Sequence, residues 1–182
     1  DLEHIPGAVH FWWQDTMNLN GAGYGEAVGL GNDTWWIPDI GATQDQVIVV
    51  YDNDASKYAS RGVWQLRTSG FDHAKVLDGG LAAWKGAGFD VSSDPAELAE
   101  VPEPEDIWHA DNEVPVDQVQ EWMDDPNLVI IDTRTAEEQQ DTINDTVRLG
   151  QIPGSVWIPP SMVMRVDGTF KPVEELLPIF EQ

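Results

Sequence analysis

The phrase His4-Ile5-Pro6-Gly7-Ala8-Val9 returns as Gln151-Ile152-Pro153-Gly154-Ser155-Val156, with Ile152 standing 147 positions after Ile5. Solenoid repeats run about 20–50 residues, so a period this long points to a tandem domain. At 182 residues the chain holds one full period and roughly a quarter of another. In that phase the first copy begins inside its repeat and the second ends inside its repeat.

Patterning supports a parallel α/β arrangement in the first copy. Val47-Ile48-Val49-Val50-Tyr51 is a β-branched run expected to form a buried strand. A helix is expected over 58–68, stopped by Gly70, and Lys75-Val76-Leu77 predicts a second strand. Asp78-Gly79-Gly80 then turns into a helix over 81–87, closed by Gly88. Strand, helix, strand, helix at this spacing is the pattern of a parallel sheet with crossover helices.

From Ser92 to Asn112 the pattern fails. Pro95, Pro102 and Pro104 alternate with acidic residues, which predicts a solvated linker. Pro115 then suits the first turn of a helix to Met123, Asp124-Asp125-Pro126-Asn127 a turn, and Leu128-Val129-Ile130-Ile131 a second buried strand. Pro172 opens a last amphipathic helix through Val173, Leu176, Leu177 and Phe180. The expected domains are a first repeat over 1–94 lacking its first strand, a Pro/acidic linker over 95–113, and the front half of a second repeat over 114–182.

Thirty-three acidic residues against nine basic ones give a formal charge of −24. Such a chain is repelled by phosphate backbones, which argues against nucleic acid as a partner. Scarce lysine (only Lys57, Lys75, Lys85 and Lys171) favours a protein of a high-salt setting over an ordinary acidic surface. No apolar run approaches the 18 or so residues of a membrane span, so no membrane partner is expected. Cysteine is absent, which removes disulfides, thiolate metal sites and any cysteine nucleophile within these residues. The histidines, at 4, 10, 73 and 109, lack close ligand spacing, so neither a metal nor a cofactor is expected. Gly21-Ala22-Gly23-Tyr24-Gly25 lacks the register of a dinucleotide cradle and reads as a loop flanked by Trp12, Trp13, Trp35 and Trp36.

Several landmarks in order resemble the rhodanese (sulfurtransferase) family. They are His4-Ile5-Pro6-Gly7-Ala8, Val49-Val50-Tyr51-Asp52, Arg61-Gly62-Val63-Trp64, Leu77-Asp78-Gly79-Gly80-Leu81-Ala82-Ala83-Trp84, Asp132-Thr133-Arg134 with Glu138, and the stretch from Gly168 to Leu176. The resemblance implies an α/β fold, a rhodanese-like parallel sheet flanked by helices, with one repeat lacking its front and the second its back half. It also implies a tandem thiosulfate or 3-mercaptopyruvate sulfurtransferase, in which a cysteine at a strand end carries sulfane sulfur as a persulfide. A loop of backbone N–H groups at a helix N-terminus cradles that sulfur, lowering the thiol pKa and stabilising the anion.

Here the cysteine position is Asp52, in the loop Asp52-Asn53-Asp54-Ala55-Ser56-Lys57, so no catalytic residue is assigned and the loop reads as a degenerate active site. The repeat offset puts the second copy's equivalent near position 199, beyond Gln182. Asp52 and Asp54 are read either as an acid/base pair or as vestigial carboxylates meeting helix N–H groups, the second being favoured. Arg61 is read as anion-binding or as a structural ion pair; Asp132 and Arg134 as pocket-shaping or as a brace.

The partners implied for the parent are a small sulfur donor and a thiol or cyanide acceptor; the compartment is left open between cytoplasm and periplasm. The alternative function is a non-catalytic binding or assembly module. Because the two partial copies are complementary, a swapped homodimer is also entertained, with a light-scattering mass as its test.

Overall fold

In the computed structural model, which describes residues 3–12, 40–53, 56–102, 105, 109, 112–140 and 150–181, the run at 47–50 alternates in burial. Val50 is buried and Ile48 half-buried, whereas Val47 and Val49 are exposed. A period of two is what an extended chain produces. The strand β1 (Val49–Val50) pairs in parallel with β2 (Lys75–Val76), Val49 opposite Lys75. Lys75 N–H donates to the Ile48 carbonyl at 2.8 Å, and Leu77 N–H to that of Val50 at 2.9 Å. The expected strand is therefore present and parallel, but only one of its faces is buried. A two-stranded sheet covered by one helix leaves alternate side chains in water.

That helix is α1 (Lys57–Thr68). Ala59, Gly62, Val63 and Leu66 are buried, the i, i+3, i+4, i+7 spacing of one helical face. They pack with Ala42, Val50, Phe71 and Ala74 to form the core of the first unit. Gly62 lets β1 and Phe11 come close, since a Cβ there would lie 3.0 Å from Phe11 Cζ and 3.4 Å from Val50 Cγ1.

The end of α1 shows why Gly70 stops it. Gly70 adopts φ +83°, its N–H reaches the Arg67 carbonyl at 3.1 Å, and Phe71 N–H reaches that of Leu66 at 2.9 Å. This is a Schellman closure, with Leu66 and Phe71, both fully buried, as its apolar pair. After β2, the glycines at 79 and 80 turn the chain into α2 (Gly80–Gly86). The N-terminal stretch closes over this end through a His4–Ser92 antiparallel bridge and a Lys85–Glu3 ion pair.

The Pro/acidic stretch is, where described, mostly exposed and is also hydrogen-bonded to the first unit. His109 N–H donates to the Thr68 carbonyl at 2.8 Å, Asn112 Nδ2 to Thr68 Oγ1 at 3.1 Å, and Gln44 exchanges two hydrogen bonds with the Glu105 backbone. Its composition offers little apolar surface to pack, yet its backbone groups still take partners. The chain divides into two compact units, Asp1–Glu113 and Val114–Gln182.

In the second unit α3 (Val116–Trp122) follows Pro115, and β3 (Ile131–Asp132) pairs in parallel with β4 (Val156–Trp157), Ile131 opposite Val156. The connection contains α4 (Ala136–Gln139); α5 (Pro160–Val163) and α6 (Val173–Phe180) follow β4. The strand expected at 128–131 thus pairs later, and its burial is again alternate: Leu128 and Ile130 are half-buried while Val129 and Ile131 are exposed. The apolar stripe of α6 is largely exposed. Val173, Leu177 and Phe180 are exposed, and only Leu176 and Ile179 are half-buried. Among the described residues, Ile158 is the one buried large apolar side chain of this unit, so the helix has little core to meet. No described helix is long and apolar enough to cross a membrane. The glycine loop at 21–25, Trp13, Trp35, Trp36, Asp54 and Ala55 lie outside the described residues.

Candidate functional site

Tyr51 closes β1 and its hydroxyl accepts the Ile5 N–H at 2.9 Å, tying the first copy of the repeated phrase to the strand. Asp52 follows at the carboxyl end of the strand, and α1 starts five residues later. The first turn of a helix leaves backbone N–H groups without intrahelical partners. Ser56, the residue at the cap position, supplies no side-chain bond to them. Asp52 does: Oδ1 accepts the Ser56 N–H at 3.0 Å and Oδ2 the Ala59 N–H at 2.7 Å.

Behind it, the Asp52 carbonyl accepts the Leu81 N–H at 3.2 Å. Gly80 sits against that carbonyl with φ +56°, where a Cβ would collide with the oxygen. The Asp78-Gly79-Gly80 turn therefore builds one wall of the loop, a role the sequence signalled only as a helix start.

Of the other loop residues, Asn53 and Lys57 are exposed, and the Lys57 ammonium lies 5.6 Å from the Tyr58 ring centre. Ser56 is buried with φ +63°, a conformation unusual for a side-chain-bearing residue. Arg61 is half-buried on α1. Burial pushes its guanidinium below the ordinary arginine range, and the Glu113 charge opposes that shift.

Chemically, this arrangement holds a carboxylate as an acceptor. Both oxygens of Asp52 accept backbone amide donors, which tie the end of β1 to the start of α1. With no cysteine in the chain, the loop presents no thiolate.

The second cluster stands at the end of β3. Arg134 Nε lies 2.9 Å from Asp132 Oδ1, and Arg134 Nη2 lies 2.7 Å from Asp132 Oδ2, a two-point fork. Nη2 also donates to the Gly150 carbonyl at 2.9 Å, and Trp157 Nε1 donates to the Arg134 carbonyl at 2.9 Å. Arg134 thus links the end of β3 to the residue before the second copy of the repeated phrase. The Asp132 side chain is only 9% exposed, and the guanidinium beside it holds its carboxyl below the usual carboxylate range.

Glu138 completes a capping box on α4. Its side chain accepts the Thr135 N–H at 2.8 Å, and its own N–H meets Thr135 Oγ1 at 3.2 Å. A cavity of about 560 Å³ adjoins the fork, lined by Ile130, Asp132, Arg134, Gly150, Ile152 and Ser155 among others. Among the described residues, no group of three or more histidines and carboxylates is placed to hold a metal.

These features define a class. The protein is an α/β chain with parallel strands, whose strand-end loop holds an anionic group against a helix N-terminus. Residues 1–87 match the family described as Rhodanese-like domain.

Thiosulfate sulfurtransferase of Gallus gallus is 26% identical over 98% of this chain and 63% of that relative. Thiosulfate/3-mercaptopyruvate sulfurtransferase 1 of Arabidopsis thaliana is 30% identical over 79% of this chain and 44% of its own length. Among solved structures, the 3-mercaptopyruvate sulfotransferase SseA of Escherichia coli superposes with a TM-score of 0.82 at 28% identity. That match covers 98% of this chain and 67% of SseA. The chain thus spans 44% to 63% of the length of these two curated relatives, and the similarity to SseA runs through both units.

Proposed function

We propose that this chain is part of a rhodanese-like sulfurtransferase that moves sulfane sulfur from thiosulfate or 3-mercaptopyruvate to a thiol or cyanide, through a cysteine outside these 182 residues. In such a cycle with thiosulfate, a thiolate attacks the outer sulfur, the S–S bond breaks, sulfite leaves and a persulfide anion remains. Cyanide then takes the outer sulfur as thiocyanate and the thiolate returns. Charge and sulfur balance at both steps, and no redox partner is needed.

The observation that carries the reading is the loop at Asp52. It has the helix N-terminus and converging N–H groups that an anionic sulfur needs, yet it holds a carboxylate, which cannot accept sulfane sulfur. In this reading the first unit supports a catalytic second repeat, and the 182-residue chain is inactive alone.

The test is thiocyanate release from thiosulfate and cyanide, for this chain and for one extended along its reading frame by about 120 residues, a domain's length. Activity only in the longer chain supports the proposal. Activity above background in the cysteine-free chain sinks it. Silence in both favours the second reading, a binding or assembly module.

A further inference from the structure

Each of the two sheets has two strands and, among the described residues, a bare edge on its first strand. In the first sheet the carbonyls of Ile48 and Val50 accept from Lys75 and Leu77, so these residues face β2. The alternation of a strand turns the N–H and C=O of Val49, between them, to the other edge. In the second sheet the carbonyls of Ile130 and Asp132 accept from Val156 and Ile158, which turns Ile131 outward in the same way. Val49 is 53% exposed and Ile131 43%.

The two edges fit one another. In a parallel ladder, a residue that points its N–H and C=O at the neighbouring strand bonds to the two residues flanking the one opposite. Pairing β1 with β3 thus sets Val49 opposite Ile130 or Asp132, and Ile131 opposite Ile48 or Val50. On one face of the joined sheet, exposed Val129 and Ile131 come beside Ile48 and Val50, the side that α1 covers. On the other face, exposed Val47 and Val49 come beside half-buried Leu128 and Ile130. Each edge brings bare apolar residues to the covered side of the other.

Charge selects the same pairing. Residues 47–85 carry five of the chain's nine basic residues against four acidic ones, whereas residues 114–182 carry thirteen acidic and four basic. A β3 edge therefore meets less repulsion at a β1 edge than at a second β3 edge.

We propose that β1 of this chain pairs edge to edge, in parallel, with β3 of a second copy, and that the exchange is reciprocal. Two copies then hold two four-stranded sheets in the order β2-β1-β3-β4. In each, α1 of one copy extends its cover over Val129 and Ile131 of the other. A bare apolar edge is a template for unspecific pairing, and a closed two-fold pair leaves neither edge open. Sulfur transfer plays no part in this association.

The experiment measures light-scattering mass in 1 M potassium chloride, where a Debye length of about 3 Å screens the repulsion between two chains of charge −24. The mass is expected to rise from that of one chain to about twice it over roughly a hundredfold range of concentration. Val49→Lys and Ile131→Lys each place a charge on one edge, and each variant should stay at the single mass with an unchanged circular dichroism spectrum. Mixed together they should associate again, because one retains its β3 edge and the other its β1 edge. A constant single mass for the wild type, association that survives either lysine, or a mixture that stays at the single mass overturns the proposal.

Should a lysine variant fail to fold, hydrogen exchange of the wild type decides. The Val49 and Ile131 amides should exchange about tenfold more slowly at the high end of the concentration range than at the low end. Rates independent of concentration would overturn the proposal. Thiocyanate is not measured in any of these readouts, so the sulfur-transfer reading stands or falls separately.

Discussion

Gly80 lies against the carbonyl oxygen of Asp52 so closely that any Cβ at position 80 would collide with it, and its φ is +56°. Two independent costs therefore attach to one substitution: left-handed backbone strain and a backbone collision. Gly80→Ala is expected to lower unfolding free energy by about 2–3 kcal/mol. Gly86, six residues on in the same helix, is the internal control. A Cβ there meets nothing within 4 Å, so Gly86→Ala should be neutral or stabilising by about 0.5–1 kcal/mol. Urea denaturation of both variants checks the contrast, and similar midpoints would contradict it.

Asp132 predicts an acid-side effect with a definite sign. Its carboxyl is held below the usual range by Arg134, so the stabilisation is complete above the unfolded aspartate value of about 3.9. It is lost as pH falls through the lower folded value. Because Arg134 is partly exposed, the contribution is discounted to about 1 kcal/mol. Asp132→Asn should therefore be less stable than the wild type near neutrality, with the difference shrinking below about pH 4. Taking the difference between the two proteins removes the effect of the other carboxylates. A constant gap down to strongly acidic pH would show that the fork is not the cause.

Salt should stabilise the chain. A net charge of −24 repels itself, and the Debye length falls from about 10 Å at 0.1 M salt to about 3 Å at 1 M. The thermal midpoint is expected to rise over that range with potassium chloride, a salt with little exclusion effect of its own. A flat or falling midpoint would count against charge repulsion as a significant term.

Leu66 tests where the first unit keeps its stability. It is fully buried, faces Phe71 across the Schellman closure, and belongs to the core cluster with Val50, Val63 and Ala74. Leu66→Ala should cost about 2–5 kcal/mol. On the second unit, Val129→Ala at an exposed position should change stability by less than about 0.5 kcal/mol. Denaturant midpoints of the two variants give the comparison directly.

Much of the fold was legible because local rules produced it. Gly70 marks the end of α1 since only a residue tolerant of φ +83° closes that turn at little cost, and the apolar spacing of Ala59, Val63 and Leu66 matches one helical face. The apolar runs at 47–50 and 128–131 were likewise readable as parallel strands. Their burial was not. Whether Val49 or Val129 meets protein or water depends on what covers the second face of the sheet, and β-branching carries no information about that. The same holds for Val173, Leu177 and Phe180, whose spacing describes an amphipathic helix without saying whether a core lies beneath it.

At the candidate sites the division is sharper. The sequence by itself determined the chemistry available: no thiol anywhere, a carboxylate at position 52, an Asp-x-Arg at 132–134, a net charge of −24 and a phrase repeated at long range. Only the tertiary structure decided what those groups do. It brought Ala59 N–H and Ser56 N–H onto Asp52, set Gly80 behind its carbonyl, and joined Arg134 to Gly150 across sixteen residues. The reason is physical. Residue types fix which groups can donate, accept or ionise, while distances of about 3 Å between groups far apart in the chain exist only once the backbone has folded.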